Sequence, residues 1–208
     1  MIKAIIFDLD GTLYKSKRIE RKFAEAAHHT LAKHQKLDLD TARELVEQRR
    51  TELSRKRGYR IPYTHTLRSF GVPVQFWHEK NAEWFDARHY LKKNHMLITA
   101  LKTLRKKHRL AVVTNNNRIQ AERVLSALGV KSLFSVVQTF TDTGLLKPDP
   151  EVFLRIARRF RVKPSQCLSV GDRIDVDLAP AARTGMKTFR VAGPRGINRL
   201  LRLKTLFL

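Results

Sequence analysis

Cysteine is all but missing from this chain: Cys167 stands alone among 208 residues. A disulfide framework is therefore excluded, and a reducing compartment is the expected setting. Long apolar runs are missing too, since no stretch approaches the roughly 20 residues that a membrane-spanning helix needs. Met1 to Phe7 is apolar, but it is too short for a signal peptide and Asp8 interrupts it. A soluble, cytoplasmic protein without a membrane partner is expected. Internal repeats, low-complexity tracts and long linkers are also absent. Acidic residues are scarce, with 19 Asp and Glu against 42 Lys and Arg, a net charge of +23. One reading of that excess is a polyanionic partner such as nucleic acid; the other is a solvated basic surface with no dedicated partner. Residues 15–93 carry 19 basic and 10 acidic side chains and the remainder 23 and 9, so no single arm holds the charge. No aromatic-rich RNA motif and no zinc-ligand spacing accompanies it. The field should draw small anions, including phosphate esters, toward a cleft.

What is present is enough for a core. Hydrophobic residues make up 42% of the chain, and the length suits one well-buried domain with a modest insertion. Five short apolar runs read as buried strands: Ile2 to Phe7, Leu110 to Thr114, Ser135 to Gln138, Cys167 to Val170 and Lys187 to Val191. Helical spacing separates them. Leu97, Ala100, Leu101 and Leu104 form one stripe, and Ile119, Val124, Leu125 and Leu128 another that stops at Gly129. Asp149-Pro150 supplies a capping side chain and a proline for the first helical position, ahead of Val152, Phe153, Ile156 and Phe160. This alternation predicts an α/β fold with a doubly wound parallel sheet, in which ligands bind at the carboxyl ends of the strands.

Residues 15–93 break the alternation and read as all-helical. The stripes are Phe23, Ala26, Ala27, Thr30 and Leu31; Ala42, Leu45, Val46 and Leu53; and Phe76, Trp77, Trp84, Phe85 and Tyr90. The expected organisation is a core formed by residues 1–14 and 94–208, with 15–93 inserted as a helical cap. The aromatic residues of the third stripe read as cap core. His28, His29 and His34 read as ordinary surface histidines, because no acid or cysteine completes a metal spacing. Arg155, Arg158, Arg159, Arg161 and Lys163 read as a solvated helix edge. The loop Arg57 to Tyr63 could hang over the active site.

Four signals fall at predicted strand ends. Asp8-Leu9-Asp10-Gly11-Thr12 places two carboxylates two residues apart, so both can point the same way; one can attack an electrophile while the other handles protons. Thr114-Asn115 offers a hydroxyl and a backbone amide for phosphate oxygens. Lys147, ahead of Pro148-Asp149-Pro150, can offset charge on a carboxylate and a phosphate. Gly171-Asp172, with Asp177 five residues on, suits a hard cation such as Mg²⁺.

These four pieces, in this order, resemble the four motifs of the haloacid dehalogenase (HAD) superfamily, and the segment 15–93 falls where its helical-capped phosphatases carry their cap. The resemblance implies that Asp8 attacks phosphorus and that Asp10 protonates the leaving group and then activates water. It implies Mg²⁺ held by the side chains of Asp8 and Asp172 and the backbone carbonyl of Asp10, with Asp177 in support. Thr114, the Asn115 amide and Lys147 would bind the transferring phosphoryl group. Dehalogenases of the superfamily lack an acid at the position of Asp10, so phosphoryl transfer to water from a small phosphorylated metabolite is the implied activity; a mutase shares the same core residues. Leu13-Tyr14, Thr64 to Arg68, and Ala121 to Leu125 after Thr114-Asn115 resemble the pyrimidine 5′-nucleotidase branch, which carries glycine where this chain has His65. That branch would make a nucleoside monophosphate the substrate.

Overall fold

A computed structural model of the chain describes residues 1–202; the last six residues of the expected core segment, 203–208, lie outside the described residues. In chain order β1 (Ala4–Phe7) is followed by helices α1 (Lys17–Gln35), α2 (Leu39–Arg57), α3 (Tyr63–Arg68) and α4 (Val74–Trp84). Then come α5 (His95–Arg105), β2 (Arg109–Val113), α6 (Arg118–Ala127), β3 (Val136–Gln138), α7 (Phe140–Thr143), α8 (Glu151–Arg159), β4 (Cys167–Gly171), α9 (Ala179–Arg183) and β5 (Lys187–Arg190). The chain divides into two units, Met1–Lys15 with Leu91–Leu208, and Ser16–Tyr90. Among the described residues, no helix is long and apolar enough to cross a membrane.

The first unit is built on a five-stranded sheet in the order β3-β2-β1-β4-β5, and every pairing is parallel. Parallel strands covered on both faces need apolar residues throughout, and all four residues of β1 are buried. Ala4, Ile6, Ala111 and Val113 pack with Val152, Phe153 and Ile156 of α8. Phe7, next along the strand, turns to the other face and meets Phe134 edge-on, ring centroids 6.0 Å apart. The register aligns Phe7 with Val112 on one side and Val170 on the other. The segments that leave these three strands therefore emerge together at one edge of the sheet.

Helix ends follow from side chains that satisfy free backbone amides. Asp149 Oδ1 accepts the Glu151 N–H at 2.9 Å, while Asn117 Oδ1 accepts the Gln120 N–H at 2.8 Å. Ile119 departs from the expected stripe on α6. It is 52% exposed, and the buried face consists of Gln120, Ala121, Val124 and Leu125; the apolar stripe begins at Ala121, two residues later.

The second unit is helical. Ala26, Ala27, Leu31, Ala42, Val46, Leu67, Val72 and Trp77 form its core. Ser16 and Asp38 cap α1 and α2, and Gly58 ends α2 in the left-handed region. Two expectations need correction. Trp84 is not core: it is 42% exposed and stacks on His29 with ring centroids 3.8 Å apart. His28 is not a surface residue, because it lies on the inward face of α1 with its Nε2 2.9 Å from Glu47 Oε1.

Candidate active site

Asp8 leaves β1 with its backbone still in the sheet, the Asp8 N–H donating to Val170 O at 2.9 Å. Its carboxylate is held from two sides. Thr12 Oγ1 donates to Oδ2 at 2.9 Å and Lys147 Nζ to Oδ1 at 2.5 Å. Lys147 Nζ also donates to Asp177 Oδ1 at 2.6 Å, so one buried ammonium bridges two buried carboxylates. Asp177 is fixed further by the Arg173 N–H, which donates to Oδ2 at 3.1 Å. Burial works against the charge of Lys147, but the Asp177 and Asp8 carboxylates outweigh it and hold its pKa above the ordinary value.

Asp172 closes the other side. It follows β4, and its Oδ1 is buried without a hydrogen-bond partner. Asp8, Asp172 and Asp177 each place a carboxylate oxygen within 4.8 Å of the other two. Burial first, and repulsion from Asp177 next, raise the carboxyls of both Asp8 and Asp172 above the usual carboxylate range, Asp172 to about 6. Lys147 lowers both, yet leaves them raised. Three hard oxygen donors, one of them unpaired, fit a small divalent cation that prefers carboxylates, carbonyls and water. The expected set was Asp8, Asp172 and the Asp10 carbonyl; the Asp177 carboxylate joins the cluster as well.

Two glycines make the approach possible. Gly11 has φ +88°, and a Cβ there would lie 2.5 Å from Asp172 Oδ2. At Gly171 a Cβ would lie 2.4 Å from the Asp177 Cβ. Neither position has room for a side chain.

Asp10 is treated differently. Its carboxylate accepts a short hydrogen bond from Tyr14 OH on Oδ1 and one from Thr114 Oγ1 at 3.4 Å on Oδ2. Burial is the main influence and raises its pKa, with the Tyr14 hydrogen bond opposing. Asp10 thus sits among neutral hydroxyl donors, whereas Asp8 is ion-paired.

Thr114 and Asn115 follow β2. Thr114 Oγ1 accepts the Asn116 N–H at 3.1 Å as well as facing Asp10. The Asn115 side chain is turned to Lys147: Asn115 Oδ1 accepts the Lys147 N–H at 2.7 Å, and Asn115 Nδ2 donates to the Lys147 carbonyl at 2.9 Å. All seven residues singled out in the sequence lie in the first unit. Direct hydrogen bonds link Asp8, Lys147, Asp177 and Asn115, and separately Asp10 and Thr114; Asp172 joins through the carboxylate cluster.

Sequence reasoning missed three contributions: Thr12 as a donor to Asp8, Tyr14 as a donor to Asp10, and the Asn115 side chain as a clamp on Lys147. Spacing could have suggested the first two, which lie four residues after each aspartate. Among the described residues Asp175 is part of no carboxylate cluster, and it pairs with Arg173 at 2.5 Å. Tyr63 is engaged within its own unit, donating to Glu47 Oε1 at 3.0 Å beneath the Arg50 guanidinium.

Comparison with known proteins gives consistent findings. A family model described as haloacid dehalogenase-like hydrolase matches residues 2–185. The glyceraldehyde 3-phosphate phosphatase of Methanopyrus kandleri is 30% identical over 203 residues, covering 92% of this chain and 84% of that relative. The protein of the same name from Pyrococcus furiosus is 28% identical, covering 90% and 79%. Among solved structures, a HAD phosphatase from Thermococcus onnurineus superposes with a TM-score of 0.64 at 22% identity, covering 97% of each chain. A 2-haloacid dehalogenase from Pseudomonas syringae gives 0.62 at 24% identity over the whole of both chains. At those identities the structures speak for the fold.

Proposed function

This chain belongs to the haloacid dehalogenase-like hydrolase family as one of its phosphatases, and we propose that it hydrolyses small phosphorylated metabolites through a phosphoaspartyl intermediate on Asp8. The observation that carries the reading is the contrast between two neighbouring carboxylates. Burial raises both carboxyls, but Asp8 is ion-paired to Lys147 at 2.5 Å, which opposes that rise and favours the anion, whereas Asp10 accepts hydrogen bonds from the neutral Tyr14 and Thr114 hydroxyls, which suits a proton carrier. An Asp8 oxygen attacks phosphorus while Asp10 gives its proton to the departing alcohol oxygen. Asp10 then takes a proton from the water that attacks the phosphoaspartate, releasing inorganic phosphate and restoring Asp8. Thr114 Oγ1 and the Asn115 backbone amide hold the transferring oxygens, and Lys147 keeps Asp8 aimed and offsets phosphoryl charge.

Asp8 and Asp172, with the Asp10 carbonyl, would hold Mg²⁺, and Asp177 would support the set. Bound there, the cation would neutralise phosphoryl charge that otherwise repels an anionic nucleophile. The helical unit Ser16–Tyr90 serves as the cap that selects substrate.

The relatives named glyceraldehyde 3-phosphate phosphatase match most of this chain, and they favour a short phosphorylated metabolite over a polymer. The test is phosphate release across a panel of phosphomonoesters with and without Mg²⁺. The panel includes glyceraldehyde 3-phosphate, other sugar phosphates and nucleoside monophosphates. Highest turnover on small sugar phosphates is expected. Transfer between positions of the substrate with little free phosphate would replace the reading by a mutase.

A further inference from the structure

β3 is an outer strand of the sheet, and a cleft of about 670 Å³ runs along it. Its walls carry four arginines, Arg118 from α6 and Arg155, Arg158 and Arg159 from α8. The three on α8 are spaced i, i+3 and i+4, so they project from one helix face. Their partners differ. Arg118 is committed, donating to Asp142 Oδ2 at 2.5 Å and to the Val137 carbonyl at 2.8 Å. Arg158 shares an exposed pair with Glu151 at 2.6 Å, an interaction of little net strength that an incoming anion can replace. Arg155 and Arg159 are exposed, and neither side chain has an ion pair or hydrogen bond among the described residues.

Two free guanidiniums and a third that can be exchanged match the two to three negative charges of a diphosphate, for which the planar fork of arginine is well shaped. The cleft is larger than a diphosphate needs and falls in the range of sites for nucleotide-sized ligands. Val136, partly exposed at the sheet edge beside α8, offers an apolar surface for a ring, while Val137, next along the strand, projects to the opposite face. Strand addition by a peptide is disfavoured, because β3 is three residues long and Arg118 already occupies the Val137 carbonyl. We propose that this cleft is a nucleoside diphosphate site, with the phosphates on Arg155 and Arg159 and the base against the exposed edge of Val136. β2 separates it from the strand that carries Asp8.

The experiment measures binding of a fluorescent nucleoside diphosphate to the intact protein in EDTA at about 0.1 M salt, where exposed charges are partly screened. Wild type is compared with Arg155→Glu/Arg159→Glu and with the milder Arg155→Gln/Arg159→Gln. Saturable binding to wild type is expected, weakened about 10-fold or more in both double variants, with hydrolysis of p-nitrophenyl phosphate unchanged. Inorganic pyrophosphate should compete, but more weakly than the nucleotide. Absence of binding, or equal binding by wild type and both variants, would overturn the proposal. So would pyrophosphate competing as well as the nucleotide, or a single-stranded oligonucleotide binding more tightly than the diphosphate at the same arginines.

Discussion

Asn115 grips the main chain of Lys147 with both ends of its amide, accepting the Lys147 N–H at 2.7 Å and donating to the Lys147 carbonyl at 2.9 Å. The Lys147 ammonium in turn bridges Asp8 and Asp177. The loop that delivers the lysine is thereby tied to the strand end that delivers Thr114, and the position of Asp8 depends on a side chain that never touches it. Asn115→Ala removes both hydrogen bonds and leaves the backbone amide in place. A fall in kcat of about 100-fold with little change in KM is expected, the scale of loss that small misplacements produce. Steady-state kinetics on the best substrate of the panel check this; a raised KM at unchanged kcat would assign Asn115 to substrate binding instead.

Lys147 itself lies between two buried carboxylates. Lys147→Met keeps its volume but leaves both acids uncompensated, which costs about 3–5 kcal/mol when one partner of a buried ion pair is removed. Urea unfolding should show that loss together with loss of activity. Added Mg²⁺ should recover part of the stability and none of the turnover.

The carboxylate cluster links cation binding to pH. The folded state raises the Asp172 carboxyl from 3.8 to about 6, so across that window the folded chain binds more protons than the unfolded one. Stability of the metal-free protein therefore falls as pH rises through it, and the raised Asp8 extends the fall upward. A bound divalent cation offsets the repulsion that appears once the acids ionise. The increase in Tm produced by Mg²⁺ is expected to be larger at about pH 8 than at about pH 5, where protonation has already relieved the cluster. A thermal-shift titration at the two values measures it, and an increase independent of pH would contradict the assignment of these carboxylates to the cation.

Gly11 and Gly58 separate conformational strain from steric approach. Both have positive φ, +88° and +73°, but a Cβ at Gly11 meets Asp172 at 2.5 Å and one at Gly58 meets nothing within 4 Å. Alanine at either position should cost about 1–2 kcal/mol for the left-handed backbone. Gly11→Ala alone should also raise the Mg²⁺ concentration needed for half-maximal activity, because it displaces Asp172. Equal Mg²⁺ requirements in the two variants would remove Asp172 from the cation site.

The inner strands and the carboxylate motifs were legible for a common reason, whereas β5, expected as a buried strand, is an edge strand with Lys187, Thr188 and Arg190 exposed. A strand buried on both faces must be apolar end to end, and an acidic or glycine residue directly after it marks where it emerges; Phe7 to Asp8 and Gly171 to Asp172 are such junctions. What was not legible depends on contacts between residues distant in sequence. Nothing near Asn115 points to Lys147, 32 positions away, and a backbone-clamping amide looks like a helix cap when read locally. His28 is buried and pairs with Glu47 on the next helix, and Trp84 lies at the surface stacked on His29, contacts that no local pattern announces. The arginines of α8 read locally as a solvated edge; the cleft they line exists because β3 ends the sheet beside them.

The central claim is that Asp8 becomes covalently phosphorylated during turnover. Quenching the enzyme with borohydride while it acts on its best substrate reduces an acyl phosphate to an alcohol, and peptide mass spectrometry locates the change. The account predicts reduction of the Asp8 side chain, giving homoserine at position 8, dependent on both substrate and Mg²⁺ and absent in Asp8→Asn. Active enzyme that yields no reduced aspartate, or yields it at Asp10 instead, would contradict it.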